Sequence, residues 1–188
     1  MGAAMTAGLQ TVIRIPTLQT ERLRLRAPRA EDYEAYAAFR ASPRAATVGG
    51  PNTRDQAFQQ FCALIGHWQV RGWGRWVIAD RATDLALGTT GLYDPDGWPE
   101  PELAWSLFEH AEGKGIAFEA ARAARRHAYE ALGFATLISC VTPQNTRSAA
   151  LARRMGCTFE GTVPHETLGA VHVWRHPAPD ALDKDQAP

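Results

Sequence analysis

Cysteine is scarce: Cys62, Cys140 and Cys157 are the only three in 188 residues, and no two form a C-x-x-C pair. An odd count without close spacing excludes a full disulfide framework and a zinc ribbon, and makes a reducing cytoplasm the simplest setting. Net charge is lacking too. Twenty Lys and Arg balance twenty Asp and Glu, which removes any long-range pull toward nucleic acid or an anionic membrane. An anionic ligand therefore has to be met by local groups. No run approaches the ~18 apolar residues of a membrane helix, and the first residues lack a basic segment followed by an apolar one. Residues 1–6 formally match a myristoylation pattern, but read more plainly as a short Ala-rich tail. No internal repeat is visible. The six histidines contain no His-Glu-x-x-His, and His172 and His176 fall partly on a strand, where i,i+4 spacing does not bring two rings together. No metal is expected.

What is present is ordinary globular composition, 45% apolar and 21% charged. A chain of this size suits one core, and the reading is a single domain over 17–177 with frayed tails at 1–16 and 178–188. Leu23 and Leu25 alternate with arginines, the period-2 signature of a half-buried strand. Two helical segments follow, one around Tyr33, Tyr36 and Phe39, the other carrying Phe58, Phe61, Leu64, Ile65 and Trp68 and ending near Gly72. Residues 76–79 and 85–92 flank a polar turn as a hairpin, and 102–108 adds a further strand. An Ala-rich helix then places Ala117, Ala120, Ala121, Ala124 and Ala128 on one face, with Arg122, Arg125 and Arg126 largely opposite. A strand over 135–141, a helix over 145–155 and two late strands complete the chain. This order predicts an α/β (α+β) fold, a mixed sheet covered by about four helices.

Chemistry concentrates where the 102–108 strand runs into Gly113-Lys114-Gly115 and the Ala-rich helix. Free N–H groups and the positive end of the helix dipole converge there, which makes an anion site. It is not a Walker A loop, because Lys114 is followed by Gly115, nor a dinucleotide fingerprint, whose third glycine would fall on Phe118.

In context these residues resemble the GNAT superfamily of acyl-CoA transferases, most closely its RimJ/RimL-type N-acetyltransferases. The similarity runs over 17–177 and rests on pieces in a specific order. These are Thr20-Glu21-Arg22-Leu23-Arg24-Leu25-Arg26 with Asp32, Gly88 and Gly91-Leu92, Glu102-Leu103-Ala104-Trp105, Gly113-Lys114-Gly115-Ile116-Ala117, Pro143-Gln144-Asn145 with Ser148, and Gly156 before Glu160-Gly161. The resemblance implies a mostly antiparallel sheet splayed between its fourth and fifth strands and acetyl-CoA as co-substrate. The family's pyrophosphate motif falls on residues 112–117, so Gly113, Lys114, Gly115, Ile116 and Ala117 are expected to hold the cofactor. Glu112 departs from the motif, and is expected to face solvent, offset by Lys114 or nearby arginines. Pantetheine is implied against backbone groups of Trp105, Ser106 and Leu107, and Asn145 against the cofactor, although Asn is also a favoured helix N-cap.

For catalysis an amine, protonated at neutral pH with a pKa of about 8 to 10.4, needs a base. Glu102, which begins the cofactor strand and matches an acidic position of this branch, is the first choice, against the plainer role of a solvated carboxylate. Glu109 and His110 come second. Some relatives carry a strand Glu and a helix Tyr where this chain has Cys140 and Ala152, so those roles do not transfer. Ser148 matches a serine of the branch and is the best remaining hydroxyl for the leaving sulfur, or else a cap. Direct attack by a primary amine, on a protein N-terminus or a small molecule, is preferred to an acyl-Cys140 route. Trp68, Trp73, Trp76 and Trp98 could line the acceptor site or serve as core, and the 41–53 and 164–170 loops are both candidates for it. A homodimer is compatible with this reading. The alternatives are a non-catalytic acyl-CoA-binding module and a different nucleotide-binding enzyme.

Overall fold

The computed structural model describes residues 12–182; the myristoylation pattern and most of both expected tails lie outside them. Within the expected tails, Ile13 and Ile15 pack against the core, and Pro179–Leu182 forms a short helix, α5. No helix among the described residues is long and apolar enough to cross a membrane.

Eight strands form one sheet in the order β1-β2-β3-β4-β5-β6-β8-β7. They are β1 (Leu18–Gln19), β2 (Leu23–Arg26), β3 (Arg75–Asp80), β4 (Ala86–Tyr93), β5 (Glu102–Leu107), β6 (Ile138–Val141), β7 (Thr158–His165) and β8 (Gly169–Arg175). All neighbours are antiparallel except β5 and β6, which run parallel and pair only at Glu102 and Ile138. The splay expected between the fourth and fifth strands is this boundary; the two-residue β1, unread in the sequence, shifts the count by one. β6 is shorter than the 135–141 run suggests, and Leu137 is buried just ahead of it.

Helices cover both faces. On one lie α1 (Tyr33–Ala41) and α2 (Arg54–Arg71), whose Tyr36, Phe61 and Leu64 pack with Val77 and Phe108. Thr53 caps α2, its hydroxyl accepting from the Gln56 N–H while the Gln56 side chain accepts from the Thr53 N–H. The buried stripe of α2 is Ala57, Phe61, Leu64 and Trp68; Phe58 and Ile65 are exposed, so the full set of apolar residues overstated its face. On the other face α3 (Ile116–Glu130) lies against Trp76, Ile78, Leu92 and Leu103, its fully buried Ala120, Ala121, Ala124 and Ala128 allowing the close approach expected of them. Beside it runs α4 (Thr146–Arg154).

Two residues break the expected polar-out pattern. Arg125, assigned to the solvent face of α3, is buried and donates to the Met155 carbonyl at 2.6 Å. It also meets His176 Nδ1 at 3.3 Å, and His176 Nε2 in turn lies 2.9 Å from Ser139 Oγ, which donates to the Leu103 carbonyl at 2.6 Å. Because Ser139 gives its only proton to Leu103, His176 Nε2 must be the donor to Ser139, leaving Nδ1 free to accept. Burial, then the charges of Arg125 and Arg175, push the imidazole down to about 3, so the ring is neutral. The chain of bonds ends on a β5 carbonyl that has no strand partner beside the splay. Ser139→Ala is expected to lower folding stability by about 1–3 kcal/mol in a urea titration, because it strands both that carbonyl and the His176 donor. A midpoint equal to that of the native chain would show the network to be dispensable.

Arg26 is the other exception. Its guanidinium is buried at the end of β2 and forms a two-pronged pair with Asp32, at 2.7 and 2.9 Å.

Candidate active site

The β5–β6 splay exposes alternate backbone groups. Along β5 the peptides of Ala104 and Phe108 turn toward β4, where Thr90 and Leu87 meet them, whereas Pro101 and Leu103 point their carbonyls toward β6. Continuing that alternation, Trp105 and Leu107 direct their N–H and C=O groups into the split, and Ser106 directs its own toward β4. Of the three residues expected to meet pantetheine through the backbone, only Trp105 and Leu107 are oriented for it. Ser106 nonetheless lines both clefts described next.

The first cleft, of about 340 Å³, lies between the glycine turn and α4. Gly113 and Gly115 have φ of 74° and 75°, the left-handed region that L-residues avoid, and this turns the chain from a short 3-10 segment into α3. The first backbone bond of α3 is from Glu119 N–H to the Gly115 carbonyl, so the N–H groups ahead of it remain free at the cleft. Gly113, Gly115, Ile116 and Ala117 line the cleft, as do Asn145 and Ser148. Lys114 does not: its ammonium donates to the His110 carbonyl at 2.8 Å. The Glu119 side chain accepts from Thr20, from the Arg22 N–H and from the Arg22 guanidinium, which docks the start of α3 on the β1–β2 turn.

Glu112 is only partly exposed, and it is arginines, not Lys114, that offset it. Its carboxylate is held between Arg44 and Arg147, each at 2.5 Å. These two arginines, with Arg154 stacked 3.9 Å over the Phe118 ring, give the cleft a cationic rim. Sequence reasoning did not single them out. Arg147 has a weak local signal, its place in the first turn of α4 two residues after Asn145; Arg44 has none.

A second cavity, of about 310 Å³, lies on the α1/α2 side of the sheet. It shares Thr47, Val48, Trp105, Ser106, Asn145 and Ser148 with the cleft, so the two spaces meet at the splay. Both loops singled out in the sequence contribute walls, the first through Thr47 to Gly49 and the second through His165, Thr167 and Leu168. Of the four tryptophans, Trp98 lines the cavity, Trp68 and Trp76 are core, and Trp73 packs against the core.

Glu102 lines this second cavity and is 6% exposed, far from a solvated carboxylate. Burial pushes its pKa up to about 7, opposed by the Cys140 N–H that donates to Oε2 at 2.9 Å and by the charge of Arg75. Such a group exists in both protonation states near neutrality. Burial, and after it the neighbouring Glu102 carboxylate, raise the Cys140 thiol above the usual thiol range, which leaves it a poor nucleophile. Glu109 and His110 are exposed. Ser148 Oγ receives the Trp105 indole N–H at 3.3 Å, and Asn145 Oδ1 accepts from the Ser148 N–H at 3.1 Å, so Asn145 is a helix cap that also faces the cleft.

The family model of the acetyltransferase (GNAT) domain matches residues 22–158, from β2 into β7. The chain belongs to the GNAT acetyltransferase family. An acetyltransferase from Agrobacterium tumefaciens str. C58 is 39% identical, over 91% of this chain and 99% of that one, with a TM-score of 0.81. RimL, a ribosomal L7/L12 alpha-N-protein acetyltransferase solved with coenzyme A, shares the fold at 17% identity and a TM-score of 0.71, over 86% of this chain and 97% of its own. So does a ribosomal-protein-S5-alanine acetyltransferase from Vibrio fischeri, at 17% identity and a TM-score of 0.68, over 88% and 98%. The mostly antiparallel sheet with one parallel junction is thus the GNAT arrangement, and the chain is an acyltransferase whose fold neighbours include proteins of the RimJ/RimL type.

Proposed function

We propose that this GNAT acetyltransferase moves an acetyl group from acetyl-CoA to a primary amine by direct attack in a ternary complex. The observation that carries the reading is the junction of two spaces at the splay: a cleft with free N–H groups and arginines on one side, and a cavity with a buried carboxylate on the other. The 113–117 turn, Arg44 and Arg147 suit a pyrophosphate, and Trp105 and Leu107 suit the amides of pantetheine. That RimL holds coenzyme A on the same fold supports this assignment. Glu102 accepts the proton lost by the attacking amine as the new C–N bond forms. The C–S bond breaks, and the thiolate takes a proton from solvent or through Ser148, giving an acetamide and free CoA thiol. At a pKa of about 7, Glu102 is matched to an amine at neutral pH better than an ordinary carboxylate.

Calorimetric titration with acetyl-CoA, followed by thiol release across a panel of amines and N-terminal peptides, tests the two halves separately. Absence of a binding isotherm would rule out the cofactor assignment; binding without thiol release on any amine would leave an acyl-CoA-binding module. Arg147→Ala is expected to raise the acetyl-CoA Kd by about tenfold, through loss of a charge-assisted contact. An unchanged Kd would remove Arg147 from the cofactor site.

A further inference from the structure

The chemistry of the second cavity narrows the acceptor. Two guanidinium groups border it, Arg40 and Arg75, and among the described residues neither has a carboxylate within ion-pair distance. Arg40 is buried and committed to the loop, donating to the Val48 and Gly49 carbonyls and to Asn52 Oδ1. Arg75 differs. Its guanidinium lies 4.4 Å from the centre of the Tyr93 ring, and among the described residues no hydrogen bond to another protein group engages it.

Strand register explains where it points. Arg75 pairs with Gly91, and Tyr93, two residues along β4, pairs with Glu102. Side chains two apart on a strand share a face, so Arg75, Tyr93 and Glu102 project from the same side of the sheet into one space. Gly91 and its β5 partner Ala104 lie between them and leave the surface low. The wall opposite is aromatic. Trp98 packs edge-on against Tyr93 and against His165, and its buried indole N–H closes no full hydrogen bond but lies close enough to Glu102 to favour the carboxylate. His165 Nδ1 accepts from the N–H groups of Thr167 and Leu168, which places the ring proton on Nε2. The cavity therefore offers a stacked guanidinium beside one base, and a paired carboxylate is what that guanidinium lacks.

We propose that the acceptor is a small amine that also carries a carboxylate, its carboxylate paired with Arg75 while its amine reaches Glu102. The inference rests on the acetyltransferase reading above and specifies its acceptor. A stacked, planar guanidinium suits a two-pronged carboxylate contact. The cavity volume of about 310 Å³ is at the small end of ligand cavities, which span about 300–1,000 Å³. Two guanidinium charges without a paired carboxylate disfavour polyamines and Lys-rich segments. The same carboxylate could belong to a free amino acid or to an acidic residue at the start of a peptide.

Thiol release from acetyl-CoA would be measured with free L-amino acids, the matching amino-acid amides, peptides beginning with Asp or Glu, and spermidine. Acids are expected to exceed their amides in kcat/KM by on the order of 10- to 100-fold. Preference for the free amino acids over acidic peptides assigns the small-molecule source; the reverse assigns the peptide source. In Arg75→Met the acid-to-amide ratio should fall toward one, and Arg75→Lys should restore part of it, a pattern that a merely structural role for Arg75 would not give. Equal rates for acids and amides, a preference for spermidine, or an unchanged ratio in Arg75→Met overturns the proposal. Acetyl-CoA calorimetry on the same preparation separates the failures: with cofactor binding intact, these outcomes reject the carboxylate acceptor alone, while loss of binding rejects the acetyltransferase reading beneath it.

Discussion

Glu102→Gln is expected to lower kcat by about 10²–10⁴-fold, the range that general-base catalysis supplies, with the acetyl-CoA Kd little changed. Glutamine keeps an oxygen to accept from the Cys140 N–H, so the loop of contacts around the position survives. What disappears is the proton acceptor. The pH profile carries the sharper signature. In the native enzyme kcat/KM should rise as Glu102 ionises around pH 7, and in Glu102→Gln that limb should vanish, leaving only the ionisation of the amine. Stability should move the other way. A carboxyl raised from the ordinary 4.5 to about 7 in the folded state holds its proton more tightly there than in the unfolded chain. The native protein accordingly loses stability as pH climbs from the unfolded pKa through 7, by about 3 kcal/mol once ionisation is complete. Glu102→Gln escapes that loss, so its Tm should exceed the native value at pH 8 and the gap should close below pH 5. A variant that keeps native turnover would reject Glu102 as the base. Parallel Tm curves would reject its shifted ionisation.

Asp32→Ala is expected to destabilise the fold by about 3–5 kcal/mol, because it strands a buried guanidinium. For a chain of this length that is a fall in Tm of roughly 6–20 °C by calorimetry. Asp32 does two jobs. It pairs with Arg26 through both oxygens, and Oδ2 also accepts from the Arg29 N–H, fixing the 3-10 turn that leads into α1. Asp84 is a partial substitute. It accepts from Arg24, Arg26 and Arg29, but it is itself partly exposed and already shared among three cations. Asp32→Asn retains an oxygen for Arg29 and for one Arg26 bond, and should lose less than the alanine variant. If both variants lost under about 1 kcal/mol, Asp84 would be the true partner of Arg26. The pair bears on the site because α1, which it anchors to β2, carries Tyr36 and Arg40 to the second cavity.

How much of this was legible in advance depends on the range of each signal. The alternation of Leu23 and Leu25, the small-residue face of α3 and the Gly113–Gly115 turn were readable because each is decided by neighbours within a few residues. Where the same logic failed, partners outside the repeating pattern were responsible. Arg26 and Arg125 should face water by local pattern, yet each is buried because Asp32 or the Met155 carbonyl waits for it. Glu112 is partly exposed and offset by arginines, but which ones was not legible, because Arg44 lies far away in the chain and Arg147 on α4.

The amino-acid sequence by itself determined the order of elements, the glycine turn and the family, since these rest on periodicity and fixed spacing along the chain. Only the tertiary structure decided what kind of carboxylate Glu102 is and which groups surround it. Ionisation depends on burial and on charges brought from elsewhere in space. Here the charge comes from Arg75 on β3 and the neutral donors from Trp98 in a loop and Cys140 on β6, three positions that no local pattern connects.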